Sequence, residues 1–365
     1  KAGIYKKTDD GILSIDLKTG EHKAQKKVLF DGYRAAKGFQ KVADRIKSLA
    51  FNDDKSGKFF WEITADSLIY SANRIPEISD DIINIDNAMK WGYGWELGPF
   101  EVWDAMGVQE TVSRMKKENK NVPSWVDEML SSGRETFYEL TNGKRTYYDV
   151  LSSSVKTTED DPKVINLSLK KSGNNLIKRD WSASLIDLGD GVLNVEFHSA
   201  LQPTLNPIDS SMGEVMNDAM DLLDAGKYKA LVIGHEGANF CAGANLANMI
   251  QVIDAKDFDK INNDLKQFQD LMQRVRFSKA PVVAAPHHMA LGGGFEISAP
   301  AVHRVALGEL YMGAVEIGVG LVPGAGGNLR ILLNLTENSG SGRLNAFQVS
   351  QKAFETIAFA KVSSS

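Results

Sequence analysis

Three glycine-rich segments and two glutamates carry residue types suited to moving protons beside a carbonyl. GANFCAGANL, residues 237–246, follows the apolar run ALVIG, and small residues there let a ligand approach the backbone closely. ALGGGFE, residues 290–296, follows PVVAAP. Its glycines predict a tight turn whose free N–H groups open a helix at FEISAPA. VEIGVGLVPGAGG, residues 315–327, adds a second carboxylate and another glycine turn. Backbone donors at strand ends would hold negative charge on an oxygen, while Glu296 and Glu316 would transfer protons at the neighbouring carbon. Two phosphate-binding alternatives fail. No Gly-x-x-x-x-Gly-Lys-Ser/Thr run occurs, and GVGLVPG displaces the third glycine of a dinucleotide fingerprint and inserts a proline.

The elements that must position these residues are α/β in texture. SLIDLGDGVLNVEF reads as a hairpin around Gly-Asp-Gly. The strand runs ALVIG and PVVAAP each follow a helical segment, MGEVMNDAMDLLDAG and FDKINNDLKQFQDLMQRV. Strands alternating with helices imply crossovers and a mostly parallel sheet. The first part of the chain differs. RAAKGFQKVADRIKSL and GKFFWEITADSLIYSANRI repeat apolar residues at helical spacing. Ser79 offers an N-cap, with Asp80 and Asp81 behind it, for IINIDNAMKWG, and Gly92 and Gly94 end that helix. Pro99 and Gly107 bracket PFEVWDAMG, and Pro123 starts VPSWVDEML. The expectation is a multidomain chain: an all-α domain over 1–141, a polar linker over 142–183 with at most one strand pair near RTYYDV, and an α/β domain over 184–365.

The chain has 365 residues, enough to bury a core without staples, and one Cys, which excludes an internal disulfide framework and fits a reducing compartment. Its net charge of -5 argues against general nucleic-acid binding. No apolar run approaches the roughly 20 residues of a membrane helix. The opening KAGIYKKTDD has neither a signal-peptide core nor an initiator Met. A cytoplasmic enzyme, lying inside a longer protein, is the expectation.

The second half resembles the crotonase (enoyl-CoA hydratase/isomerase) superfamily, through FCAGANL, KAPVVAAPHHMALGGGFEIS and AVEIGVGLVPGAGGNLRI and the spacing among them. The resemblance implies a crotonase-like spiral domain whose last helices are cut short. It implies an oxyanion hole from the N–H groups of Ala244 and Gly293. It also implies catalytic carboxylates at Glu296 and Glu316 and acyl-CoA contacts at Ala200, Ala242, Gly243 and Gly292. DDIINIDNAMKWGYGWELGPFEVWDAMG resembles the C-terminal helical domain of 3-hydroxyacyl-CoA dehydrogenases. Together these imply the C-terminal portion of a bacterial multifunctional protein of fatty-acid β-oxidation: an enoyl-CoA hydratase joined to a dehydrogenase whose NAD domain has no counterpart here. No cofactor is expected in this chain. The implied partners are an acyl-CoA thioester and a homo-oligomer or a complex with a thiolase. Other crotonase chemistry (double-bond isomerisation, thioester hydrolysis) and a non-catalytic acyl-CoA-binding role are the alternatives.

Other candidates carry less. His287 and His288 are adjacent, so in a strand they face opposite ways and make a poor metal pair. His198 reads as a polar loop residue and Cys241 as a small packing residue. Asn245 stands where many relatives have Asp. Trp91, Trp95 and Trp103 read as core or interface aromatics.

Overall fold

A computed structural model gives the fold of residues 3–9, 11–24, 29–39, 41–159, 161, 163–338 and 345–363. The chain divides into two compact units: Lys1–Glu139 with Thr146–Thr157, and Leu140–Arg145 with Thr158–Ser365.

The first unit begins with an antiparallel sheet that hydrophobic spacing did not announce: β1 (Tyr5–Thr8), β2 (Gly11–Ile15) and β3 (His22–Ala24). Its residues are largely exposed, so no alternation of buried and polar positions marks it. The all-α expectation is corrected to that extent. The helices then follow: α1 (Asp31–Gly38), α2 (Val42–Ala50), α3 (Lys55–Asn73), α4 (Ile82–Tyr93), α5 (Pro99–Met106), α6 (Val108–Lys117) and α7 (Ser124–Ser131). The single helix expected over RAAKGFQKVADRIKSL is two, because the chain turns extended at Phe39. Asp81 rather than Ser79 caps α4, its carboxylate accepting from the N–H of Asn84 at 2.7 Å. Trp61, Trp103, Phe100, Phe137, Met106 and Met129 fill the core, whereas Trp91 and Trp95 are exposed.

The stretch expected as a polar linker is more structured than that. β4 (Tyr138–Thr141), β5 (Lys144–Asp149) and β6 (Ser154–Thr157) form a three-stranded sheet, and α8 (Leu167–Ser172) and β7 (Leu176–Arg179) follow. Single anchors suffice: Tyr148 and Leu167 are buried in otherwise polar sequence.

In the second unit, β8 (Ala183–Gly189) and β9 (Val192–Phe197) form the expected hairpin. They join β7, β10 (Ala230–Ile233), β11 (Val282–Ala284) and β13 (His303–Arg304) in a six-stranded sheet ordered β13-β11-β10-β9-β8-β7. It is parallel from β9 to β13 and antiparallel at the β7–β8–β9 end. The crossover helices α9 (Ser210–Asp224) and α11 (Phe258–Arg276) supply Met212, Val215, Met216, Met220, Leu271 and Val275 to its core. A second, two-stranded parallel sheet pairs β12 (Met289–Leu291) with β14 (Tyr311–Gly313). α12 (Gly293–Ser298), α13 (Gly327–Asn338) and α14 (Ala346–Ala358) share a small core with Met312 of that sheet, a 3-10 turn covers Glu316–Val319, and α10 (Leu246–Asp254) packs on α11. No helix among the described residues is long and apolar enough to cross a membrane.

Candidate active site

Residues 240–244 run as an extended segment between two others. On one side the N–H of Phe240 donates to the His287 carbonyl (3.2 Å), that of Cys241 to Met289 (3.0 Å), and that of Leu291 back to Cys241 (2.9 Å). On the other, Ala242 donates to Leu205 (2.9 Å), and Ile208 donates to Gly243 (2.8 Å). The N–H of Ala242 is therefore committed to the fold. Those of Ala244 and Gly293 find no protein acceptor among the described residues.

These two donors are neighbours because glycine permits it. Gly292 caps α12 at φ 54°, ψ −121°, and Gly243 lies at φ 97°, conformations that side chains other than hydrogen strain. A Cβ added to Gly293 would sit 3.8 Å from the Ala244 nitrogen and only 2.5 Å from Cδ1 of Ile208. The backbones of 243–244 and 292–293 thus pass in contact.

Both glutamates are near this crossing. Glu296 sits one turn into α12 and is 5% exposed. Its Oε1 accepts from the N–H groups of Ala325 and Gly327, each at 2.8 Å. Burial pushes its pKa up to about 7; the Gly327 N–H opposes the rise, and the charge of Glu316 adds to it. Glu316 opens the 3-10 turn after β14, half-buried, and burial raises its pKa also. A Cβ on Gly292 would meet its Oε1 at 3.3 Å. Its Oε2 is buried with no hydrogen-bond partner among the described residues. An unpaired buried acceptor is uncommon and points to a role outside folding.

The structure therefore brings together Gly243, Ala244, Gly292, Gly293 and Glu316, with Glu296 electrostatically coupled to Glu316. Ala200 lies apart from these contacts on an exposed loop after β9. Ile208 and the Ala325 and Gly327 donors were missed in sequence. The GAGG turn was visible, but its target was not. Asn245 caps α10 by accepting from Asn248 N–H, as an Asp would. Cys241 is buried in the core, its thiol pushed up to about 12 by burial, which suits packing rather than nucleophilic chemistry. His198 contacts Ser184 Oγ at 2.7 Å, and burial lowers its pKa. His287 bonds the Gly237 carbonyl at 2.8 Å. Among the described residues no group of three or more His, Cys, Asp or Glu could hold a metal ion.

Residues 201–341 match the family described as enoyl-CoA hydratase/isomerase. This stretch is a crotonase-superfamily domain. Over its whole length the chain is 40% identical, across 363 residues, to a Bacillus subtilis (strain 168) protein named as a 3-hydroxyacyl-CoA dehydrogenase, covering 45% of that protein. It is 27% identical over 331 residues, 89% of this chain and 41% of the other, to a Rickettsia felis protein named as a fatty acid oxidation complex trifunctional enzyme. The chain thus spans less than half the length of these two curated relatives. A solved enoyl-CoA hydratase from Bacillus anthracis is similar over 50% of this chain and 65% of its own, with 22% identity and a TM-score of 0.41. The crotonase domain follows a helical N-terminal region, as expected from sequence.

Proposed function

We propose that the crotonase domain adds water to 2-enoyl-CoA thioesters. The observation that carries this reading is the pairing of two unengaged N–H groups, at Ala244 and Gly293, with the unpartnered buried Oε2 of Glu316. The thioester oxygen would accept both N–H bonds, which strengthen as it gains charge. Water held between the carboxylates would lose a proton to one as its oxygen bonds the β-carbon, and the other would protonate the α-carbon. Glu296, whose Oε1 is held by two main-chain donors that favour the anion, is the better base. Glu316, its Oε2 unpaired, is the better acid. Hydration of crotonyl-CoA by this chain, measured with wild type, Glu296→Gln and Glu316→Gln, tests the reading. Wild-type turnover lost in both variants is expected, and no wild-type hydration would refute it.

Ala242, Gly243, Gly292 and Ala200 would line the acyl-CoA path in this reading. We further infer a place in fatty-acid β-oxidation, supported by the names of the relatives, with a homo-oligomer or a thiolase-containing complex in the cytoplasm. NAD-dependent dehydrogenation would belong to a longer protein. The glycine run nearest a dinucleotide fingerprint, residues 318–324, starts within a 3-10 turn rather than at the end of a strand, and Pro323 stands inside it. That run does not fit NAD, and hydride transfer is no part of this domain's proposed chemistry.

A further inference from the structure

His235 begins the loop that leads from β10 to Ala244, and both of its ring nitrogens are engaged there. The N–H of Gly237 donates to Nδ1 at 3.0 Å, and Nε2 donates to the Phe240 carbonyl at 2.8 Å. Asn206, fully buried, reaches the same carbonyl. Its Nδ2 donates to Phe240 and Phe197, both at 3.2 Å, while its Oδ1 accepts from Ser199 N–H at 2.7 Å. The imidazole stacks on Phe240 (5.6 Å, 19°) and meets His287 edge-on at 4.8 Å. His287 in turn donates to the Gly237 carbonyl at 2.8 Å. Burial, aided by the neighbouring His287 and His198, pushes the His235 pKa down to about 4, so Nδ1 remains an acceptor at neutral pH.

The loop is therefore tied at Gly237 and Phe240 by one ring, immediately before the extended segment that ends in the free N–H of Ala244. We infer that His235 is a positioning residue for the oxyanion hole, setting the path of residues 236–240 so that the Ala244 N–H meets the thioester oxygen. This rests on the hydratase reading above. A misplacement of about 1 Å in such a donor is enough to cost on the order of 10²-fold in rate.

The test uses the full 365-residue chain carrying His235→Phe, which keeps the aromatic stacking and removes both hydrogen bonds. His235→Gln serves as the conservative variant, having one acceptor and one donor. Two readouts apply: kcat and KM for crotonyl-CoA hydration, and the red shift of a para-amino-cinnamoyl thioester of CoA, whose absorption reports carbonyl polarisation. We expect the Phe variant to bind with KM within about threefold of wild type, to lose at least tenfold in kcat, and to lose most of the red shift. The Gln variant should recover both. An undiminished red shift in folded His235→Phe overturns the positioning role alone. A wild-type chain that neither hydrates nor shifts the chromophore overturns the hydratase reading with it. Should the Phe variant not fold, the Gln variant is compared with His235→Asn, whose amide is one methylene too short to bridge Gly237 and Phe240. Equal red shifts in those two refute the inference.

Discussion

Replacing Glu296 by Gln should make the protein slower and, above neutral pH, more stable. The side chain is 5% exposed, and its pKa rises from 4.5 to about 7 on folding. The folded state therefore binds more protons than the unfolded chain between those values. Stability from this group is complete below about pH 4.5 and is lost as pH rises through about 7. A tenfold change in proton affinity corresponds to about 1.4 kcal/mol, so the full effect is roughly 3 kcal/mol, most of it between about pH 5 and 8. Gln carries no such cost. Its carbonyl oxygen can take the place of Oε1 before the Ala325 and Gly327 N–H groups, so the main-chain contacts survive.

The measurement is urea unfolding of the second unit's transition in wild type and Glu296→Gln at pH 5 and pH 8, beside crotonyl-CoA hydration. The stability difference should move by about 2–3 kcal/mol in favour of the variant on going to pH 8. Hydration should fall by at least 10²-fold, the lower end for a positioned base. A pH-independent stability difference would show that Glu296 is not held in the environment described. Retained hydration would remove it from the chemistry.

Glu316→Gln should also cut hydration at least 10²-fold, while acyl-CoA affinity measured by calorimetry stays near wild type; full turnover would dismiss Glu316 as the acid. Gly293→Ala should cut hydration because its Cβ, 3.8 Å from the Ala244 nitrogen, would crowd the space between the two proposed donors, while Cδ1 of Ile208, 2.5 Å away, turns aside at a small cost in stability. Adding Ile208→Ala should restore folding stability without restoring rate, and a rescued rate would place the donor elsewhere. Trp103→Ala, at a fully buried position, should lower the first unit's stability by about 3–5 kcal/mol in a denaturant melt. Calorimetric titration of NAD into the chain should give no saturable heat, and micromolar binding would expose a nucleotide site missed in these units.

Periodicity made the long elements legible. α3, α4, α9 and α11 carry apolar stripes that must be buried, and β8 and β9 flank a Gly-Asp-Gly turn that leaves few alternatives. The three segments of the site were legible for a related reason: glycine at 243 and 292 answers a positive-φ backbone demand that other residues meet only with strain. What escaped was whatever rested on one anchor or on main-chain groups. β1 to β3 expose most of their residues, and the structure within 142–183 hangs on isolated buried residues such as Tyr148 and Leu167. The bonds from Ala325 and Gly327 to Glu296 involve main-chain N–H groups, which every residue but proline possesses. No spacing rule can mark them in advance. Ile208 looked like any aliphatic residue until its Cδ1 was found against Gly293.

The site concentrates features that a fold otherwise avoids. A carboxylate oxygen of Glu316 is buried without a partner, Glu296 is buried beside it, and two main-chain N–H groups lack acceptors among the described residues. The buried, unpaired Oε2 of Glu316 alone costs on the order of 1–3 kcal/mol in a folded domain. The surrounding elements can bear that cost because they are ordinary. The sheet from β9 to β11 is covered by α9 and α11, whose buried methionines, valines and leucines fill the largest core of the unit. The crossing of 240–244 with 287–291 is locked by paired main-chain hydrogen bonds on both flanks. A rigid frame holding unengaged donors beside one buried and one half-buried carboxylate would suit an oxyanion intermediate, because groups already in place need no reorganisation when charge appears. The buried, unpaired Oε2 of Glu316 would be a liability in a domain that only packs, and it is this that supports the proposed catalytic role of the site.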